Sequence, residues 1–348
     1  YDAGEIDVAQ QLSVDALALA YESNDQGAIA AALAMRHTAL SAPEHLRERQ
    51  ALDDEFRTLD PALSVQAQVW RVGDLLECGD LATADAEMLA MKHGPLMRAH
   101  PRARWYVSLY RTMRLSLAGD LDAATELCEE TRAIGERVGV RTTGVAYAVQ
   151  NVFLARERRT LHGLPELLEA LAEEHPQQAG FSVTAAWVRA EMGEFDIARE
   201  SLDRIARSGF TCIPRNGVWL ANMRLLAGTV FEVGARDHVE PLYEMLLPFR
   251  DRWVVTSRVV AVWGSVEHSL GLLAFAGGDH ERAHMHFDAA DAVHDRLDIP
   301  IVAARTDLTR IPLLLAEGDE IGAERLRREV HETATARDWT DLAVRSAT

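Results

Sequence analysis

The sequence predicts an all-α fold, a right-handed superhelix (solenoid) of stacked helix pairs, on three observations. A glycine followed five residues later by an alanine recurs along the chain: Gly79 with Ala84, Gly119 with Ala124, Gly193 with Ala198, Gly278 with Ala283 and Gly318 with Ala323, while Gly234 fits with Val239 in the alanine place. Successive glycines are 40, 74, 41, 44 and 40 residues apart, the long interval spanning about two units. A period near 40 belongs to helical-hairpin repeats. No stretch alternates apolar and polar residues in the strand pattern, so no strand is expected.

The rule has a physical cause. Glycine takes the left-handed conformation that ends a helix. Alanine lies where the second helix crosses the first, and a larger side chain there would push the backbones apart. In the stretch from Gly277 to Ala290 the acidic Asp279 opens the second helix, and Ala283, Phe287 and Ala290 form one apolar stripe at i, i+4 and i+7. Each pair has an apolar face it cannot bury alone, and the next pair covers it.

Taken in order, residues 7–21 and 26–40 read as the first pair, with a corner at Ser23-Asn24-Asp25. Ser41-Ala42-Pro43-Glu44 is a helix start, a Ser cap near a proline and an acid. Pro61 opens a helix running to Glu77. Residues 101–118 and 121–138 pair around Gly119-Asp120. Residues 143–155 and 164–174, with Pro165 near a helix start, flank a degenerate corner near Arg156–Leu164, which accounts for the long interval. Residues 181–192 and 195–208 follow, then the least helical stretch, the link 209–216. Residues 217–233, 237–247, 255–276, 279–297, 301–317 and 320–336 complete the array. No low-complexity linker interrupts it, so residues 1–348 read as one helical-repeat domain.

Composition narrows the function. A net charge of −18 opposes non-specific binding to nucleic acid or an anionic membrane. No apolar run approaches the roughly 20 residues of a membrane span, which points to a cytoplasmic protein. Cys78, Cys128 and Cys212 follow no metal-site spacing and read as buried free thiols. The sole lysine, Lys92, lies in Met91-Lys92-His93-Gly94-Pro95, outside any phosphate-binding loop. Nothing in the sequence asks for a cofactor. The chain opens at Tyr1 and ends at Thr348 without an end signal, as expected of a processed chain or a piece of a longer one.

Several runs carry a resemblance: Pro241-Leu242-Tyr243 with Leu246-Leu247-Pro248, Gly264-Ser265-Val266 with Leu270-Gly271-Leu272-Leu273-Ala274, and His286-Phe287-Asp288-Ala289-Ala290. Ile213-Pro214-Arg215-Asn216 with Trp219-Leu220, and Gly73-Asp74-Leu75-Leu76-Glu77 with Gly79-Asp80, belong to the same set. From about residue 45 onward they make the chain similar to the C-terminal tetratricopeptide-like repeat region of large bacterial signalling ATPases, cyclase-bearing relatives and LuxR-type regulators. The resemblance implies a regulatory or sensing part. It lacks the output end, since no nucleotide-binding loop, cyclase motif or DNA-reading helix is present.

Three classes of site are conceivable on such a frame. First helices line the inside of a repeat superhelix, where peptides, partner segments or small effectors dock. Read back from the corner glycines, inward positions include Tyr106, Trp187, Arg224, Ser265, His268 and Arg305; Arg215 and Trp219 flank the irregular link. Trp70, Trp105, Trp187, Trp219 and Trp263 all fall on expected first helices and serve equally well as packing between hairpins. The second class is an enzyme. His280-Glu281-Arg282-Ala283-His284 matches the HExxH pattern of zinc hydrolases, with Glu317 or Asp307 as conceivable third ligands, yet it starts in the first turn of a repeat helix, where the repeat already explains the spacing. Ser265 and His268 at i, i+3 lack the aspartate of a triad. The third class is self-association. Paired carboxylates at Asp53-Asp54-Glu55, Glu129-Glu130 and Glu173-Glu174 read as exposed helix turns, and the basic run Arg325–Arg328, flanked by Glu324 and Glu329, carries little nucleic-acid signal.

Overall fold

The computed structural model describes residues 3–59, 65–94 and 96–347. The expected helix start at Pro61 lies outside the described residues, as do Tyr1, Pro95 and Thr348. The helices run α1 (Ala3–Ser23), α2 (Gln26–Ala39), α3 (Leu46–Phe56), α4 (Val65–Glu77), α5 (Leu81–His93), α6 (Leu96–Ala99), α7 (Pro101–Ala118), α8 (Leu121–Arg137), α9 (Thr143–Glu157), α10 (Leu164–Glu174), α11 (Ala179–Glu191) and α12 (Phe195–Ala206). They continue as α13 (Trp219–Val233), α14 (Val239–Leu246), α15 (Val266–Gly277), α16 (His280–Arg296), α17 (Pro300–Ala316), α18 (Glu320–Ala336) and α19 (Thr340–Ala347). No described helix is long and apolar enough to cross a membrane.

The corners form as the residues dictate. All six corner glycines have positive φ, from 63° at Gly234 to 87° at Gly278. The side chains of Asp80, Asp120, Asp279 and Asp319 then cap the next helix by accepting from the backbone N–H three residues on. Each alanine of the rule, Ala84, Ala124, Ala198, Ala283 and Ala323, is completely buried at the crossing, and Val239 nearly so. The first corner turns on Asn24, also at positive φ, with Asp25 capping α2. The degenerate corner turns on Arg159 and Gly163.

Two features depart from the sequence reading. Residues 253–265 are not the start of a helix. They form an antiparallel hairpin, β1 (Trp253–Thr256) and β2 (Ala261–Ser265), with Val255 facing Val262. Every residue of both strands is buried, between α4 and α13 on one strand and α7, α9, α15 and α16 on the other. The physical reason is composition: five valines, a threonine and two tryptophans from 253 to 263 suit a pleated, two-sided buried surface. Gln150 of α9 holds the hairpin by donating to Val260 O, 2.9 Å.

The second feature is that the chain returns on itself. α17 packs on α7, and α19 on α9. Trp339 donates from Nε1 to Gly119 O, 2.8 Å, directly at a corner more than two hundred residues earlier. Smaller corrections concern burial. Asp53 is buried against His37 and Asp74 and is no exposed helix-turn acid. Cys78 and Cys212 are exposed, and Cys128 is the buried thiol. Trp70, Trp105, Trp187 and Trp219 pack inside on first helices; Trp263 packs inside on β2.

Candidate functional site

The repeat register builds a cavity. Six residues before the corner glycines Gly193, Gly234, Gly278 and Gly318 stand Trp187 on α11, Gly228 on α13, Leu272 on α15 and Pro312 on α17, and all four line one cavity of about 410 Å³. Ten residues before the corner stand Arg224, His268 and Leu308, which line it too. These positions share a helix face because ten and six differ by four residues, about one turn. The volume lies within the roughly 300–1,000 Å³ typical of small-ligand pockets. Arg327 of α18 and Arg345 of α19 face the same space. A narrower recess of about 20 Å³ runs inward towards Phe153 and Trp263. Arg156, Arg224, His268 and Arg305 border both, so they stand at the junction.

The charged groups around this junction are ordered by pairing. Arg156 donates to Glu191, 2.7 Å. Arg345 donates to Glu191, 2.7 Å, and to Glu232, 2.9 Å. Arg305 donates to both oxygens of Glu157, at 3.2 and 2.7 Å. Burial raises the Glu191 carboxyl, but Arg156, Arg345 and Arg305 outweigh it and bring it down to about 2. Burial pushes His268 well below its ordinary value, with Arg224 adding to the effect, so the ring is neutral at pH 7. His268 shares a hydrogen bond with Thr306 Oγ1, 3.1 Å.

Arg224 differs from its neighbours. It is 5% exposed, and its guanidinium makes no hydrogen bond or ion pair among the described residues. Its Cζ lies over two indole rings instead, 5.8 Å from the Trp187 ring centre and 5.3 Å from that of Trp263. The two indoles meet edge to face at 5.7 Å. Burial, reinforced by Arg156, pushes the Arg224 guanidinium down to about 9. It therefore remains a cation at neutral pH.

Of the residues nominated from sequence, the structure brings Trp187, Arg224, His268 and Arg305 together here. It places the other four elsewhere. Tyr106 lies tilted against Trp105, ring centres 5.0 Å apart, on α7. Ser265 ends β2, buried, with its hydroxyl unpartnered and no bond to His268. Arg215 lies over the Trp219 ring at 4.2 Å and pairs with Glu44, 3.2 Å, at the irregular link; Trp219 is core, edge-on to Phe249. The carboxylates Glu157, Glu191, Glu232 and Asp341 and the arginines Arg156 and Arg345 were not foreseen. One signal was available: a glutamate stands two residues before the corner glycine at Glu77, Glu191 and Glu232, and each meets a buried or half-buried arginine.

Two further clusters carry residues of metal-ligand type. Glu317 reaches both histidines of the HExxH match, His280 Nδ1 at 3.6 Å and His284 Nε2 at 2.9 Å, at a half-exposed helix start; Glu281 is exposed. The group whose ligand atoms lie within 4.8 Å of one another, among the described residues, is His37, Asp53 and Asp74. There Arg49 donates to Asp74, 2.7 Å, and Arg258 lies over the Trp70 ring that stacks on His37. Those two cations oppose a metal ion, and the cluster is built around the Arg49–Asp74 ion pair.

Compared with known proteins, the chain matches no family model, and no curated protein matches it.

Proposed function

We propose that this chain is a regulatory sensor or protein-interaction scaffold, part of a bacterial transcriptional or signalling regulator, that binds a small effector, peptide or partner segment on the concave side of a right-handed tetratricopeptide-like superhelix. The observation that carries this reading is the register: four successive first helices place the same repeat position in one cavity. A repeat array uses its inner face in this way. The return of α17 and α19 to α7 and α9 suggests how binding is transmitted. A ligand touching both the first helices and Arg345 favours the closed arrangement, provided its affinity differs between closed and opened forms.

The test is calorimetric screening of a metabolite and peptide collection, with small-angle scattering on each binder. Gly228→Leu supplies the block, because even a Cβ there meets the Trp187 indole at 3.3 Å. Binding that changes the scattering profile and is lost in Gly228→Leu supports the reading. Ligands that bind the variant as well as the natural chain place the function elsewhere.

A zinc-dependent hydrolase remains the second reading, favoured by the approach of Glu317 to His280 and His284. Metal analysis after dialysis decides it: one zinc per chain, lost in His284→Gln, supports hydrolysis, and a metal-free protein rejects it.

A further inference from the structure

We infer that the cavity takes a monocarboxylate with an apolar body, its carboxylate seated on the Arg224 guanidinium. The inference rests on the groove reading above and gives the ligand a chemical class. Every other arginine bordering the cavity already has a carboxylate: Arg156 has Glu191, Arg305 has Glu157, Arg345 has Glu191 and Glu232, and Arg327 has Glu324. Arg224 has none among the described residues, and its Nε is buried without an acceptor. An unmatched buried cation is costly, and a bound anion removes that cost. Guanidinium and carboxylate match as planar forks.

The surroundings limit the ligand to one charge. Glu191 and Glu232 border the same cavity, so a second negative group meets repulsion rather than a free partner. His268 is neutral and offers a hydrogen bond without a charge. The remaining wall is apolar, supplied by Phe231, Leu272, Leu308, Ile311 and Leu315, and suits a hydrocarbon or aromatic body. Inorganic phosphate, small and multiply charged, leaves that wall wet. The indole faces of Trp187 and Trp263 border the guanidinium before the ligand arrives.

The experiment titrates octanoate, octanamide and inorganic phosphate into the whole chain by calorimetry, with tryptophan fluorescence alongside, and repeats this in Arg224→Met and Arg224→Lys. Melting curves establish that each variant folds. Octanoate is expected to bind one per chain, at least about tenfold more tightly than octanamide or phosphate. Arg224→Met erases the preference for the acid over the amide, and Arg224→Lys keeps part of it. Octanamide binding as tightly as octanoate, with both lost in Gly228→Leu, overturns the carboxylate assignment and leaves the groove reading standing. Unchanged octanoate affinity in Arg224→Met, or phosphate binding more tightly than octanoate, overturns it as well. If neither the acid nor the amide binds, the carboxylate assignment fails, and the groove reading is decided by the wider screen with Gly228→Leu.

Discussion

Arg305 of α17 donates from Nη2 to Glu157 Oε2 of α9 across 2.7 Å, joining residues 148 apart in sequence with both side chains buried. This pair fastens the returning C-terminal helices to the middle of the array. Burial would weaken the Arg305 charge, but Glu157, Asp341 and Glu191 around it reverse that and raise its pKa. Arg305→Met strands the buried Glu157 carboxylate and is expected to cost about 3–5 kcal/mol, whereas Glu157→Gln leaves Arg305 its second partner, Asp341 at 2.6 Å, and is expected to cost less. The double variant Glu157→Gln/Arg305→Met is expected to cost less than the sum, because the Glu157 charge that Arg305→Met strands is then gone, while Asp341 keeps Arg159 and Arg345. Urea denaturation of the four proteins gives the coupling. Additive costs would mean that the pair does not hold the closure.

The corner glycines provide an internal comparison. Gly119 and Gly318 both have left-handed φ, 77° and 81°. A Cβ at Gly318 meets nothing within 4 Å, whereas at Gly119 it overlaps Trp339 at 2.2 Å. Gly318→Ala therefore carries only the backbone cost, about 1–2 kcal/mol. Gly119→Ala carries that cost and an overlap worth about 1–3 kcal/mol more, and it loosens the Trp339 contact that closes the chain. Equal melting temperatures for the two variants would show that the Trp339 contact yields freely.

These corners were legible because they are local. Glycine conformation, an aspartate cap and a small residue at the crossing all lie within six residues of one another, and the spacing repeats. The hairpin was not legible for a related reason. Its turn uses Ser257 and Arg258 at φ of 49° and 70°, where no glycine or asparagine announces a reversal, and its strands are apolar on both sides and so do not alternate. Periodicity put Trp187, Arg224, His268 and Arg305 on one face but put Tyr106 and Ser265 there too, and those two do not line the cavity. The pairing of their neighbours did not follow from periodicity, since Arg345 with Glu191 and Arg305 with Glu157 join residues about 150 apart. Only the fold's return brings such partners together.

Asp53 gives a pH dependence of defined sign. Burial first, then Asp74, pushes its carboxyl from 3.8 up to about 8, with Arg71 and Arg49 opposing. Between about pH 4 and 8 the folded chain keeps a proton that the unfolded chain has released. Stability linked to this group is therefore present at low pH and lost as pH rises through about 8. Asp53→Asn removes the slope, so its melting temperature relative to the natural chain is expected to rise between pH 5 and pH 8.5. A constant difference across that range would mean that Asp53 is ionised throughout.

Arg224 and Arg305 border the same junction, yet their replacement by methionine is expected to have opposite signs. Arg305 has two acids and loses them. Arg224 has no acid in ion-pair contact among the described residues; burial and Arg156 outweigh the more distant Glu191 and Glu157, and its pKa of about 9 means that the folded state holds the charge less readily than the unfolded chain. For a base lowered in this way the penalty is complete below about pH 9 and is relieved as pH rises towards 12.5. Contacts to Trp187 and Trp263 offset part of it, about 0.5–2 kcal/mol each. Desolvation of an unpaired ion costs several kcal/mol, more than those contacts return. Arg224→Met is therefore expected to raise the unfolding free energy at pH 7 by roughly 1–3 kcal/mol, while removing the ligand's charge partner. Stability gained with recognition lost is the pattern of a residue kept for binding. A destabilised Arg224→Met at pH 7 would instead make the two indoles the true partners of that charge and its role structural.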